Sequence, residues 1–251
     1  MGKRVLAFMA HPDDVEFTCG GPPTRMPQEA GCEVAIATST RGDLATRDHP
    51  PDEIARIRHD EARAAAKVLD AEYYAGGCTD LFVMYDDPTL RRYVEIVRRA
   101  KPDIVITHPP VDYMVDHEMT SKLVRSACFG AGAPNLYTQA DHPAEPLGHV
   151  PHFYYADPIE LKDIYGQPVK PDFIVDISDV IAIKEKMLAA HASQREWLQA
   201  HHGMDEYIES MKRFGALRGE AINRAFGEGF RQHLGHAYPG DNLIGQLLKI
   251  P

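Results

Sequence analysis

The chain has 251 residues, of which 44% are hydrophobic and 25% charged, ordinary proportions for a globular protein able to bury a sizeable core. A net charge of −10 with no Lys/Arg-rich block excludes the electrostatic footprint of a nucleic-acid binder. No apolar run approaches the roughly 18–20 residues needed to span a bilayer, and Cys19, Cys32, Cys78 and Cys128 form no CxxC pair, which suits free thiols in a reducing cytoplasm.

The N-terminus Met1-Gly2-Lys3-Arg4 is basic through Lys3 and Arg4, but the apolar run Val5–Met9 after it is short and leads straight to His11, so it reads as a first β-strand and not a signal peptide. Pro22, Pro23 and Pro27 fall where a first crossover helix belongs, and proline costs roughly 3 kcal/mol inside a helix. That helix is therefore expected to be short, late or kinked. Glu33–Thr38 reads as the second strand. Asp52 is expected to cap a helix in which Ile54, Ile57, Ala62, Ala65, Ala66 and Leu69 recur at helical spacing. Glu72–Ala75 reads as a short strand, Pro88–Ala100 as a helix, and Ile104–Thr107 as a buried strand. Pro134–Pro151 reads as a long surface loop of the kind that often carries function. Two late strands are expected at Phe153–Tyr155 and Phe173–Ile177, followed by helices over about Asp179–Ala200 and Asp205–Gly227.

This alternation predicts an α/β fold, a Rossmann-like three-layer sandwich with a mostly parallel sheet and a late α/β addition at the C-terminus. With no internal repeat or flexible linker, residues 1–251 read as one domain.

Two polar clusters each follow an apolar strand directly. The first is Ala10-His11-Pro12-Asp13-Asp14-Val15-Glu16. The second runs from His108 to Glu118 and contains Asp112, Asp116 and His117. Strand ends are where α/β proteins bind ligands. His11, Asp14 and His117 together make a two-histidine, one-carboxylate shell suited to catalytic zinc, which keeps one position open. Asp13 is then free to take a proton from water. Each cluster also has an ordinary reading: Asp13 and Asp14 as helix caps, and His117 as a polar residue at a helix start. Both clusters at strand ends in one chain favour the metal reading.

Ala-His-Pro-Asp-Asp-Val-Glu-Phe followed by Cys-Gly-Gly resembles the signature of the LmbE-like, PIG-L-type zinc N-deacetylases. Thr40–Arg47 resembles that family's Thr-Arg-Gly-Glu-x-Gly-Thr loop, and Asp112–His117 its Asp-Tyr-His-Pro-Asp-His segment. The resemblance is densest over residues 4–20, extends over 36–47 and 103–125, and fades beyond about residue 150. It implies a Rossmann-like fold, Zn2+ held by His11, Asp14 and His117, and Asp13 as general base. It further implies Arg47, with Arg41 adjacent, and Asp80 as substrate contacts. The expected activity is removal of an N-acyl group, foremost N-acetyl, from an amino-sugar-like small molecule, by a cytoplasmic homo-oligomer that binds neither nucleic acid nor spans a membrane.

The sequence departs from the family at Met114, where many members carry a histidine that stabilises the oxyanion or protonates the leaving amine. A thioether can do neither. Asp116, which orients that histidine in the family, is retained without it. The turn-rich segment around His236, between Gly235 and Gly240, is expected to bring a replacement histidine into the site, with His152 second and His108 also available. His191, His201 and His202 read as surface groups. The Met114 change keeps a zinc amidase acting on a non-sugar amide in view. A non-catalytic Rossmann-like ligand-binding module is the rival from another class, and no G-x-G-x-x-G follows the first strand to support it.

Overall fold

The computed structural model describes residues 2–44, 46–194 and 206–250. Its strands are β1 (Arg4–Met9), β2 (Glu33–Thr40), β3 (Glu72–Cys78), β4 (Ile104–Thr107), β5 (His152–Ala156), β6 (Phe173–Asp176) and β7 (Gly227–Gln232). The helices between and after them are α1 (Asp14–Thr18), α2 (Gly21–Ala30), α3 (Pro51–Lys67), α4 (Asp87–Ala100), α5 (Val115–Gly130), α6 (Ile181–Ala189), α7 (Glu206–Glu220) and α8 (Leu243–Leu247).

All seven strands join one sheet in the order β3-β2-β1-β4-β5-β7-β6. Val5 pairs with Val34 of β2 and with Ile104 of β4, both in parallel register, and β7 runs antiparallel to β5 and β6. β1 sits at the centre and is buried on both faces, as its unbroken apolar run requires. Val5, Ala7 and Met9 pack toward α2, α3, α6 and α8, through Met26, Ala65, Ala66, Met187 and Ile244. Leu6 and Phe8 face the other layer, where α4 and α5 supply Tyr93, Val97, Leu123 and Val124. The chain leaves β1 toward β2 on one side and returns to β4 on the other. The C-terminal ends of β1 and β4 therefore form the switch-point crevice where such sheets bind ligands.

The proline-rich crossover is resolved as two short helices. Pro22 and Pro23 occupy the first turn of α2, where a missing N–H costs nothing, and Gly31 closes it at φ 63. Asp52 does not cap α3. Pro50 holds that position and Pro51 is the first helical residue, leaving Asp52 exposed to pair with Arg41 at 3.1 Å. The segment after α5 is the expected long loop, but it returns the chain to the start of β5, at the end of the sheet remote from the β1–β4 crevice. Arg98 pins it by donating to the carbonyls of Ala131, Ala133 and Leu136, and Glu95 by accepting from Thr138 and Ala144.

Candidate metal centre and active site

The exit from β1 is bent by Asp13, whose φ of 107 lies in the left-handed region. The turn is held at both ends. The backbone N–H of His11 donates to Asp14 Oδ2 at 2.7 Å, and Arg58 of α3 reaches through the interior to the carbonyl of Pro12 and to Asp13 Oδ2, the latter at 2.8 Å. Asp13 stands at the start of α1 without making a capping bond, so its carboxylate is committed to Arg58 and not to the helix. Arg58 fits because Gly42, at φ 69, leaves room: a Cβ there would lie 2.6 Å from Arg58 Nη1.

The β4 end brings the second cluster alongside. Asp14 Oδ2 lies 3.2 Å from His11 Nδ1, 3.6 Å from His117 Nε2 and 3.1 Å from His108 Nε2. The ligand atoms of His11, Asp14 and His117 all lie within 4.8 Å of one another and all three residues are buried. Behind them, Asp116 Oδ2 lies 3.2 Å from His11 Nε2, and Asp112 Oδ1 3.2 Å from His117 Nδ1. Carboxylates on the far nitrogens of two histidines are the usual orienting groups of a metal site. Among the described residues His117 Nδ1, Asp112 Oδ2 and Asp116 Oδ1 have no hydrogen-bond partner, the Asp112 Oδ1 contact to His117 Nδ1 being a charge contact without hydrogen-bond geometry. Two soft-to-borderline nitrogens and one carboxylate, with buried polar atoms left over, fit a divalent ion of the zinc type. His108, Asp112 and His117 form a second donor set of similar span. Of the two, the first faces the cavity described below, while His108 and Asp112 lie behind it.

The charges follow from this crowding. Burial opposes charge on His11, but Asp116 and Asp14 outweigh it and raise its pKa to about 10. Burial, reinforced by neighbouring His117, lowers His108 to about 4, so its ring is neutral; it stacks on His117 with centroids 3.8 Å apart. Asp14 is held well below the usual carboxylate range, because His117 and His108 overcome the effect of burial. Asp13 moves the other way: burial raises it, and Arg58 offsets only part of the rise. Burial also lifts Tyr207 of α7, whose hydroxyl bonds to Asp13 and so stays protonated.

These groups open onto a cavity of about 460 Å³. His11, Asp13, Asp14 and His117 form its floor, with Arg58, Asp80, Tyr113 and Met114 beside them. Phe17, Ile159, Glu160, Tyr207, Arg213 and Phe214 line the remaining wall.

The expected metal ligands and Asp13 are thus brought together. Asp116 is adjacent, but as the partner of His11 and of the Leu81 N–H at 2.7 Å, not as an orienter of residue 114. Met114 lines the cavity. Asp80 also does, with both oxygens accepting N–H groups of the preceding loop, Gly42 at 3.0 Å and Leu44 at 3.2 Å. Arg41 is tied to Asp43 and Asp52 and does not line the cavity, and Arg47 is exposed outside it.

The expectation for His236 fails. β7 runs antiparallel, pairing Gln232 with Tyr154, so the chain beyond it emerges at the strand-start end, far from the metal ligands. His236 is exposed there, and His152, which opens β5 at the same end, pairs with Asp241 at 2.8 Å. His191 is not a surface group. It is fully buried, 3.5 Å from Glu16 Oε1. His201 and His202 lie outside the described residues.

Arg58 and Tyr207 were not singled out as site residues from sequence. The available signal was a charge at position 58 inside the apolar stripe formed by Ile54 and Ala62, where a long cation needs a buried partner.

Comparison with known proteins agrees with this geometry. Residues 6–128 match the PIG-L family model, described as GlcNAc-PI de-N-acetylase. A diacetylchitobiose deacetylase of Thermococcus kodakarensis is 28% identical over 76% of this chain and 70% of its own length. The 4-oxalmesaconate hydratase of Pseudomonas putida is 26% identical over 90% of this chain and 83% of its own. The solved N,N'-diacetylchitobiose deacetylase of Pyrococcus horikoshii superposes with a TM-score of 0.77 at 26% identity, covering 96% of this chain and 89% of that one. The sequence match, the fold and the His-Pro-Asp-Asp corner agree: over residues 6–128 the chain is similar to the PIG-L (LmbE-like) family, whose named relatives here include deacetylases.

Proposed function

We propose that this protein is a zinc-dependent N-deacetylase that removes an acetyl group from an amino-sugar-like small molecule. The observation that carries the reading is the His11, Asp14, His117 set on the floor of a cavity, with a second buried acid, Asp13, beside it and not needed as a ligand. Bound there, zinc would polarise the amide carbonyl and lower the pKa of a water molecule. Asp13 takes the proton of the attacking water and returns it to the departing nitrogen. Its upward shift through burial brings its basicity closer to that task than an exposed aspartate's. Arg58 and Tyr207 fix its carboxylate in place. Asp116 orients His11 through a hydrogen bond, and Asp112 places a carboxylate 3.2 Å from His117 Nδ1.

The test is release of free amine from N-acetylglucosamine derivatives by zinc-loaded protein, with Asp13→Asn as the control. That variant should keep its metal and lose rate by about 10²–10⁴-fold. Loss of metal together with activity would place Asp13 among the ligands.

Met114 favours a second reading, since a thioether lining the cavity cannot protonate a departing amine. Water addition to an unsaturated acid forms no leaving amine, and the Pseudomonas putida relative is named a hydratase. Decay of the absorbance of a conjugated dicarboxylate, with no amine released from acetamides, would select it.

The proposal includes a cytoplasmic homo-oligomer. Among the described residues no helix is long and apolar enough to cross a membrane. Leu81, Phe82, Met84 and Tyr113 in the loops after β3 and β4, with Val115 at the start of α5, leave apolar surface exposed of a kind that subunit contacts cover. Light scattering at a monomeric mass would remove that part.

A further inference from the structure

Helix α7 sends Tyr207, Ser210, Arg213 and Phe214 to the same cavity as His11, Asp13 and His117. That spacing is one face of a helix, so the cavity has a wall with a regular ladder of side chains. Tyr207, the first rung, meets Asp13. Two turns on, Arg213 donates from Nη2 to Ser210 Oγ at 3.0 Å, and its guanidinium carbon stands 5.2 Å from the centre of the Phe214 ring.

Both of those partners are neutral. Among the described residues no carboxylate forms an ion pair with Arg213, although Glu209 stands at the i−4 position on the same helix, the ordinary partner of a surface arginine. The acids around the cavity are engaged elsewhere: Asp13 with Arg58, Asp14 with the histidines, Asp80 with the loop before it, and Glu160 with Lys162 at 3.9 Å. Arg58, the other arginine of the lining, is spent on Asp13. A guanidinium turned toward a hydroxyl and an aromatic face, in a chain of net charge −10, keeps its forked donors available for an incoming anion.

We propose that Arg213, with Ser210 beside it, binds an anionic group of the substrate, a carboxylate or a phosphate monoester. This rests on the catalytic reading above for the position of the reacting carbon. The six steps from Tyr207 to Arg213 span ~9 Å along the helix axis, which gives the scale of the separation between that carbon and the anion. The physiological substrate is then a charged acyl-amine and not a neutral sugar.

Two matched pairs of probes test this. N-acetyl-6-aminohexanoate carries a carboxylate at about that spacing, and N-acetylhexylamine is its neutral counterpart. N-acetylglucosamine 6-phosphate and N-acetylglucosamine form the second pair. Dissociation constants are measured by calorimetry on metal-loaded protein, using Asp13→Asn for any compound that is turned over.

The acid member of at least one pair should bind about five- to tenfold more tightly, less than a buried charged hydrogen bond supplies, because Arg213 is exposed. The advantage should shrink with added salt. Arg213→Met should abolish it and leave the affinity of the neutral member unchanged. Equal affinities in both pairs, no binding by either pair, or a preference that survives Arg213→Met each overturn the assignment. Amine release is read separately. Charge preference without turnover leaves Arg213 in its role and removes the deacetylase reading; turnover without preference does the reverse.

Discussion

Arg58 Nη2 lies 2.8 Å from Asp13 Oδ2 inside the protein, joining the third helix to the corner after the first strand. Both side chains are nearly inaccessible to solvent, at 3% and 11% exposure. Each therefore depends on the other to offset its desolvation. Removing one partner of such a pair typically costs about 3–5 kcal/mol, because the remaining charge is left uncompensated. Arg58→Met should lower unfolding stability by an amount in that range, measured by denaturant titration. Adding Asp13→Asn to it should recover part of the loss. Stability of Arg58→Met within about 1 kcal/mol of the parent would mean that the pair is not an energetic unit.

Metal affinity should depend on pH through His11. Burial disfavours its charged form, but Asp116 and Asp14 prevail and raise the pKa to about 10 in the metal-free protein. The stabilisation from that proton is complete below the unfolded value, about 6.5, and is lost as pH rises through about 10. An ion must displace the proton, so affinity for Zn2+ should rise by about tenfold per pH unit through the neutral range. Chelator competition at pH 6, 7 and 8 measures the slope. His11→Ala and His117→Ala should both fail to hold stoichiometric zinc while keeping the far-ultraviolet circular dichroism of the parent. Stoichiometric zinc in either variant would dismiss the assigned shell.

Much of this site was legible because its ligands sit where unbroken apolar runs stop. β1 and β4 are buried on both faces, so they read as continuous hydrophobic stretches; His11 follows β1 directly, and His117 lies in the polar cluster that opens where β4 stops. The elements that were missed have local sequences set by distant partners. β7 reads Gly-Glu-Gly-Phe-Arg-Gln, poor strand material. Yet Gly229 leaves room for Asp157, whose Oδ2 would lie 2.1 Å from a Cβ there, and Glu228 is buried against Lys184 at 2.5 Å. α5 begins inside the polar cluster that carries His117, which hid its start. His236 shows the opposite limit. Glycines on either side announce a turn, but the direction of the preceding strand decides which end of the sheet the turn reaches, and β7 was not expected.

Asp116 separates two roles that sequence alone could not distinguish. It is not among the residues that line the cavity and instead lies 3.2 Å from His11 Nε2, while among the described residues its other oxygen has no hydrogen-bond partner. Asp116→Asn preserves shape but removes the charge that holds the ring. Zinc affinity should fall by about 10–100-fold, the usual cost of losing such a partner. Turnover at saturating zinc should fall less than in Asp13→Asn. Unchanged zinc affinity with turnover lost as in Asp13→Asn would instead make Asp116 a catalytic group.

Gly42 supplies the most local test of how the base is positioned. At φ 69 any other residue is strained, and a Cβ would stand 2.6 Å from Arg58 Nη1 and 2.7 Å from its Cδ. Gly31 is the natural control, since it has a similar φ of 63 with nothing within 4 Å of the added carbon. Gly31→Ala therefore carries the backbone penalty alone, about 1–2 kcal/mol. Gly42→Ala adds displacement of the guanidinium that holds Asp13. It should be the more destabilised of the two, and its kcat on any substrate the parent hydrolyses should fall with zinc content intact. Gly31→Ala should keep the parent's kcat. Equal stabilities and equal rates in the two variants would mean that Arg58 can shift without disturbing Asp13, and that the base is positioned by the strained turn alone.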